Sequence, residues 1–438
     1  MSTTTLEHLD RLEAAWARSD RIFDLLDAAA WYERPIALRQ PFIFYVGHLP
    51  AFGWNQVVGG LLARGHCHPE YDALFARGID PVGVDRYESD RPEQWPSPEQ
   101  VVAYRDRVRA ALRTAFDDVA ALEGRDELAD RGRVWQIVIE HELMHHETLL
   151  YMVHQARRDL VRRPADLPGY RLGCGAPNRR IAVEAGEVML GADFDAVPFG
   201  WDNEFPAHRR MVPAFEVDAT PVRNAEYLAF LEEGGYARPE LWDADAWGWK
   251  ERVGHAHPVF WRRAVDGWRY LTLFDELPLE HAADWPVFVS WAEARAFTRW
   301  RGGDLMTEAE FHRAAEGAPW GDPTRANIGF GSWAPVPVGL PASGVSAWGL
   351  HELVGNGWEW TSTRFGPFPG FRAWARTYAG YSADFFDEHH HVMLGGSWAT
   401  DPALVRRSFR NWFQPHYPYV FAKFRCVRRG ERSFTAAR

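Results

Sequence analysis

Cysteine is scarce in this chain. Cys67, Cys174 and Cys426 lie far apart in 438 residues and form no CxxC. That excludes a zinc ribbon and a dense disulfide framework, and it fits a reducing compartment. Positive charge is also in deficit, with 49 Lys and Arg against 60 Asp and Glu and a formal net charge of −11. Non-specific nucleic-acid binding needs a net basic face, so nucleic acid is not an expected partner. No uncharged apolar run approaches the roughly 18 residues of a membrane span. The opening MSTTTLEHLDRLEAAWARSD has early acids and no apolar core of signal-peptide length. The expected setting is therefore cytoplasmic, without a membrane partner. The ordinary globular balance of 46% hydrophobic and 25% charged residues excludes disorder.

What the chain has in excess is tryptophan, 22 residues, most of them after residue 200. Such a count implies a loop-rich C-terminal domain with a small, aromatic-packed core. The length suits two domains or three at roughly 150 residues each. Residues 1–160 read as helical. The spacing of Leu9, Leu12, Ala15, Ile22 and Leu25 predicts a helix from Glu7 to Ala28. A second is expected over Pro41–Leu62. Ser97-Pro98-Glu99-Gln100 predicts a capped start to a third, running to about Leu122, and a fourth spans Arg133–Gln155. Four such helices suggest a bundle. The connection over about 77–96 is long and polar, as functional loops often are. Residues 161–180 read as a linker rich in Arg, Pro and Gly. Residues 181–435 then alternate short strands and turns, with helices only near Asn224–Glu233, Trp291–Arg301 and Thr307–Glu316. Thr307 and Glu310 form a capping box there. The fold class is α+β.

The strongest chemical signal is His141-Glu142-Leu143-Met144-His145-His146-Glu147. Residues four apart share a helix face, so His141 and His145 can hold one divalent metal. Taken alone, HELMH is the zinc-peptidase motif with Glu142 as general base. A third ligand must come from elsewhere, and His48 is the leading candidate. It sits in the apolar FIFYVGHLP, where an imidazole needs a reason to be. His66 and His68 beside Cys67, and His389–His391, are weaker candidates. Three neutral imidazoles suit Fe(II) or Zn(II) and do not choose between them.

Gly47-His48 in FYVGHLPAF, with HELMHHETLLYM downstream, resembles the DinB-like domain of ergothioneine- and ovothiol-forming sulfoxide synthases. The C-terminal half is independently similar to formylglycine-generating-enzyme-like domains. The matching segments are FGWDNEFP (199–206), PVRN (221–224), PVFVSW (286–291), Leu305–Ala314, GNGWEWT (355–361) and GGSW (395–398). The resemblance covers about residues 40–430. It implies a four-helix bundle followed by a C-type-lectin-like domain. It also implies non-haem iron as Fe(II), held by His48, His141 and His145. The cysteine pair of formylglycine-generating enzymes has no counterpart here, so sulfatase activation is not expected.

The same resemblance implies that Tyr378 and Tyr381 assist catalysis near the iron. Asn411 and Trp412 would hold hercynine (N-α-trimethylhistidine). Aromatic faces suit that substrate, because a trimethylammonium group is a poor hydrogen-bond partner. Met144 is a further expected substrate contact. Enzymes that use γ-glutamylcysteine carry an Asp after the Asn-Trp pair, where this chain has Phe413. They also carry two arginines in the loop before the third helix, where only Arg86, followed by Tyr87, is comparable. Cysteine is therefore the expected thiol. FYVGH, LFARGIDP and WPSPEQVVAYR are equally similar to ovothiol-type enzymes. Those usually carry a C-terminal methyltransferase domain, which is not expected after FRCVRR. The expected activity is O2-dependent sulfoxide synthesis from hercynine and cysteine by a monomer. Ovothiol-type histidine–cysteine coupling and selenoneine formation stand as variants. A zinc metallopeptidase and a lectin-like binding module are the readings from other classes.

Overall fold

The computed structural model describes residues 3–76, 95–374 and 381–430. Its contacts divide the chain into two units, Met1–Asp166 and Leu167–Arg438.

In the first unit, α1 (Thr3–Phe23) buries Leu12, Ala15, Trp16, Ser19 and Ile22, a stripe at helical spacing. It packs on α5 (Arg133–Gln155) and α4 (Pro98–Ala120). Every residue of α2 (Phe42–Gly53) is buried. A helix with no polar face belongs in the middle of a bundle, and α2 contacts both α4 and α5. The expected second helix is α-helical only to Gly53, and a π-helical stretch, Trp54–Leu61, continues it. A six-residue helix that sequence periodicity does not announce, α3 (Pro69–Leu74), follows. The cap expected at Ser97 is present: its hydroxyl accepts from Gln100 N at 3.3 Å, and the Gln100 side chain accepts from Ser97 N at 2.9 Å. α5 starts after Gly132 in a left-handed conformation and is buried along most of its length.

The second unit is built from short strands. Its helices are α6 (Asn224–Glu232), α7 (Ala244–Val253), α8 (Trp291–Trp300) and α9 (Glu308–Ala314). α7 was not expected from sequence. The box of Thr307 and Glu310 caps α9 as its residues predict. Strands β1 (Arg180–Val183), β4 (Phe215–Asp218) and β12 (Val427–Arg429) form one sheet, and β2 (Gly186–Leu190) pairs with β3 (His208–Val212). β5 (Trp261–Ala264), β6 (Gly267–Leu271) and β7 (Glu276–Pro278) form a meander. The fourth sheet runs β10 (Asn411–Phe413), β9 (His391–Leu394), β8 (Trp358–Arg364) and β11 (Ala422–Lys423).

The GNGWEW segment organises this unit. Asn356 has φ +65° and follows Gly355 at φ +81°, so the chain turns through the left-handed region. The Asn356 amide donates to Val336 O and to Glu352, and its carbonyl oxygen accepts from Val336 N. Parallel pairing of β11 with β8 sets Lys423 opposite Glu359. Glu359 takes hydrogen bonds from Lys423 at 3.1 Å and Arg425 at 2.9 Å, all three side chains fully buried. Buried charges persist only when paired in this way.

Candidate metal centre

The helical spacing of α5 aims His141 and His145 at α2, and α2 answers with His48. Each ring can offer one nitrogen such that the three lie within 4.8 Å of one another, and all three residues are buried. His48 lies with its ring centroid 5.0 Å from each of the other two rings. Phe44 stacks on His48 and Phe52 stacks on His141 at 3.5 Å, so the walls are apolar.

Second contacts fix the ring orientations. His48 Nδ1 lies 2.7 Å from Phe75 O, and His145 Nδ1 lies 2.9 Å from His141 O. A carbonyl only accepts, so each neutral ring carries its proton on Nδ1 and its lone pair on Nε2. Those two Nε2 atoms are buried and meet no hydrogen-bond partner among the described residues. Burial pushes the His48 pKa down to about 4, and burial plus the neighbouring rings pushes His141 well below its usual range. Three neutral nitrogen donors in a buried, apolar-walled pocket are what a first-row divalent ion requires, so the residues fit a metal such as iron.

Glu142 lies on a different face of α5. Its carboxylate is hydrogen-bonded by the Ser19 hydroxyl from α1, which also lies 2.9 Å from His146 Nε2. Burial raises the Glu142 pKa. This carboxylate is tied into the helix packing and is not part of the imidazole cluster. A peptidase base would have to face the metal, so the placement removes the main support for that reading. Met144, one turn before Thr148 and between the two cluster histidines in sequence, is partly exposed.

The remaining expected site residues fall in the second unit or outside the described residues. Trp412 in β10 stacks on Phe365 at 4.0 Å and meets Tyr381 edge-on at 5.4 Å. Tyr381 stacks in turn on Trp201 at 4.1 Å. Thus Tyr381 and Trp412 are brought together, on a platform supplied by the FGWDNEFP segment. Asp202 holds the same place, accepting from the Ser382 hydroxyl and from Trp374 N. Glu204 accepts from Trp201 N at 2.7 Å, Arg406 Nε at 2.8 Å and the Ser408 hydroxyl at 2.6 Å. The Asn411 side chain accepts from Trp412 N. Phe413 stacks on Tyr417 at 5.1 Å. Tyr378, Arg86 and Tyr87 lie outside the described residues.

Sequence reasoning missed Phe75, whose carbonyl holds His48. The signal was present in Gly47: a Cβ there would come within 2.5 Å of the Phe75 ring. A glycine inside an apolar helix, next to a candidate ligand, marks such a close approach.

Comparison with known proteins follows the same division. Residues 175–430 match the sulfatase-modifying factor enzyme 1-like domain, and residues 11–149 match the DinB superfamily. The chain is 37% identical to the hercynine oxygenase of Mycobacterium tuberculosis, over 94% of this chain and 96% of that protein. It is 32% identical to the hercynine oxygenase of Mycolicibacterium smegmatis, over 95% and 97%. With ergothioneine biosynthesis protein 1 of Neurospora crassa the identity is 31%, over 97% of this chain but 58% of that longer protein. The chain thus belongs to the hercynine oxygenase family, a DinB-like helical unit joined to a sulfatase-modifying-factor-like unit.

Proposed function

We propose that this protein is an iron-dependent sulfoxide synthase that joins the thiol of cysteine to C2 of the hercynine imidazole. The reaction balances with O2 as sole oxidant. The thiol gives up its S–H hydrogen and C2 its C–H hydrogen as the C–S bond forms. One oxygen atom ends on sulfur as the sulfoxide, and the other leaves as water with those two hydrogens. A single observation carries the reading: a buried three-imidazole pocket in a chain that aligns over nearly its whole length with hercynine oxygenases.

Fe(II) held by His48, His141 and His145 would supply open coordination positions for dioxygen chemistry. The protein's own part is positional. Carbonyl-anchored Nδ1 protons keep the Nε2 lone pairs of His48 and His145 directed inward. Phe44 and Phe52 keep water from the rings. Trp412 and Tyr381 offer aromatic faces to the trimethylammonium group, with Asn411 beside them. Tyr378 is assigned the proton-donor role, with Tyr381 as its neighbour in that task. Met144, Arg86 and Tyr87 are assigned substrate contacts. Phe413, stacked on Tyr417, places no carboxylate where a γ-glutamyl amino group would need one, which supports the smaller thiol.

The test is anaerobic loading with Fe(II), then air, with hercynine or histidine paired with cysteine, γ-glutamylcysteine or a selenosugar, and mass spectrometry of products. Hercynine–cysteine sulfoxide is expected. A histidine–cysteine sulfoxide would move the assignment to the ovothiol type. Coupling that runs as fast without air, or no coupling from any pair, would overturn the proposal.

A further inference from the structure

The short helix α3 and the loop before it carry a buried carboxylate that the reaction does not call for. Asp72 is 3% exposed. It accepts from Cys67 N at 2.9 Å, from His68 N at 3.3 Å and from Tyr104 OH at 2.7 Å, and it lies 3.2 Å from His66 Nδ1. A buried carboxylate is costly unless it is hydrogen-bonded, and removing one partner leaves an uncompensated group, so its bonds hold the segments that make them in place. Three of these donors come from the loop 66–68, and the fourth is a fully buried tyrosine on α4. Asp72 therefore gathers the start of α3 and ties it to α4. The Asp72 carbonyl also accepts from Asn55 Nδ2 at 3.4 Å, in the π-helical stretch after α2.

Phe75 caps the far end of α3. Its carbonyl takes the Nδ1 proton of His48, and its ring packs against Tyr104 and Phe44 and over Gly47. The run from Asp72 to Phe75 is one helical turn, so a displaced Asp72 moves the carbonyl that orients the ring.

We infer that Asp72, gripped by Tyr104, is a positioning residue for the metal site, setting the orientation of His48 through the carbonyl of Phe75. This rests on the imidazole pocket being the metal site proposed above. Loss of a direct hydrogen-bond partner of a ligating ring changes metal affinity by about 10- to 100-fold, and a group that acts through such a partner falls at the low end of that range.

The test uses the full-length chain and Co(II) alone as probe, added without air. Affinity is read by competition with a chelator. The hyperfine-shifted imidazole N–H signals are read by NMR, with His48 assigned through its stacked neighbour Phe44 and His145 through its neighbour Tyr45. Wild type is expected to bind one Co(II), and His48→Ala to lose it; failure of either overturns the metal reading itself. Given those two results, Tyr104→Phe and Asp72→Asn bear on the positioning role alone. Each is expected to weaken Co(II) about 10-fold and to lose or broaden the His48 N–H signal while the His145 signal stays. Tyr104→Phe removes a single hydroxyl, so it decides the matter if Asp72→Asn does not fold. Unchanged affinity with an unchanged His48 signal would overturn the inference. So would equal loss of both N–H signals, which marks general loosening.

Discussion

Trp412 stacks on Phe365 and has Tyr381 and Phe385 as further ring neighbours, so only a limited part of the indole is left for a ligand. If that part receives the trimethylammonium group, Trp412→Ala removes a cation–π contact of about 1–2 kcal/mol. The KM for hercynine should then rise about 5- to 30-fold, while the KM for cysteine holds and Trp412→Phe recovers part of the loss. Steady-state kinetics with each substrate varied in turn would show it, and an unmoved hercynine KM would end the assignment. His312 makes a different prediction. Burial, helped by Arg407 and Arg410, lowers its pKa from 6.5 to about 3. The unfolded chain therefore binds a proton below pH 6.5 that the folded chain refuses, and stability must fall as the pH drops through that window. Between pH 6.5 and 5 this one ring accounts for about 2 kcal/mol at most. Urea unfolding of His312→Phe at both pH values should show a shallower loss than wild type.

At the scale of the element, the α2–α3 contact is the tightest test of how the pocket is built. Gly47→Ala would drive a methyl group into the Phe75 ring. Overpacking of this kind costs about 1–3 kcal/mol, and here it should also weaken Co(II) binding, because the displaced ring belongs to the residue that holds His48. Urea melts and metal titration of the same variant would separate the two effects. Elements with strong local grammar were legible in the sequence. The Ser97 and Thr307 boxes fix their helix starts by side-chain chemistry alone, and the four-residue spacing of His141 and His145 needs no tertiary knowledge. α3 was not legible, because six residues hold too few turns to show a period. The π-helical stretch after Gly53 was equally hidden, since its residues are apolar in the manner of any buried helix. The direction of Glu142 was not legible, because the 100° step from His141 is the same in any HExxH helix and only the packing of α1, which brings Ser19 to the carboxylate, decides it.

For the whole molecule, the second unit packs its short strands on an apolar core that includes Val217, Phe311, Leu350 and Val427, and it also buries a charge cluster. Glu359 stands between Lys423 and Arg425 with no exposure to water. Glu359→Gln would leave two cations buried with too little to neutralise them. Breaking a pair of this sort costs about 3–5 kcal/mol. A fall in melting temperature of several degrees, or loss of soluble protein, is expected, and an unchanged thermal melt would show that the cluster is idle. The strands that carry these residues were poorly legible beforehand. Their burial follows from parallel pairing between segments more than sixty residues apart, and nothing local in Ala422-Lys423 announces a strand.

The groups that hold Nδ1 of His48 and His145 are both main-chain carbonyls. A codon change cannot delete a carbonyl. An alanine scan of the pocket would therefore find the three rings and pass over the atoms that aim two of them. Sequence drift can retune this site only by shifting a turn of backbone, so the positions that adjust the metal should lie among residues that never touch it.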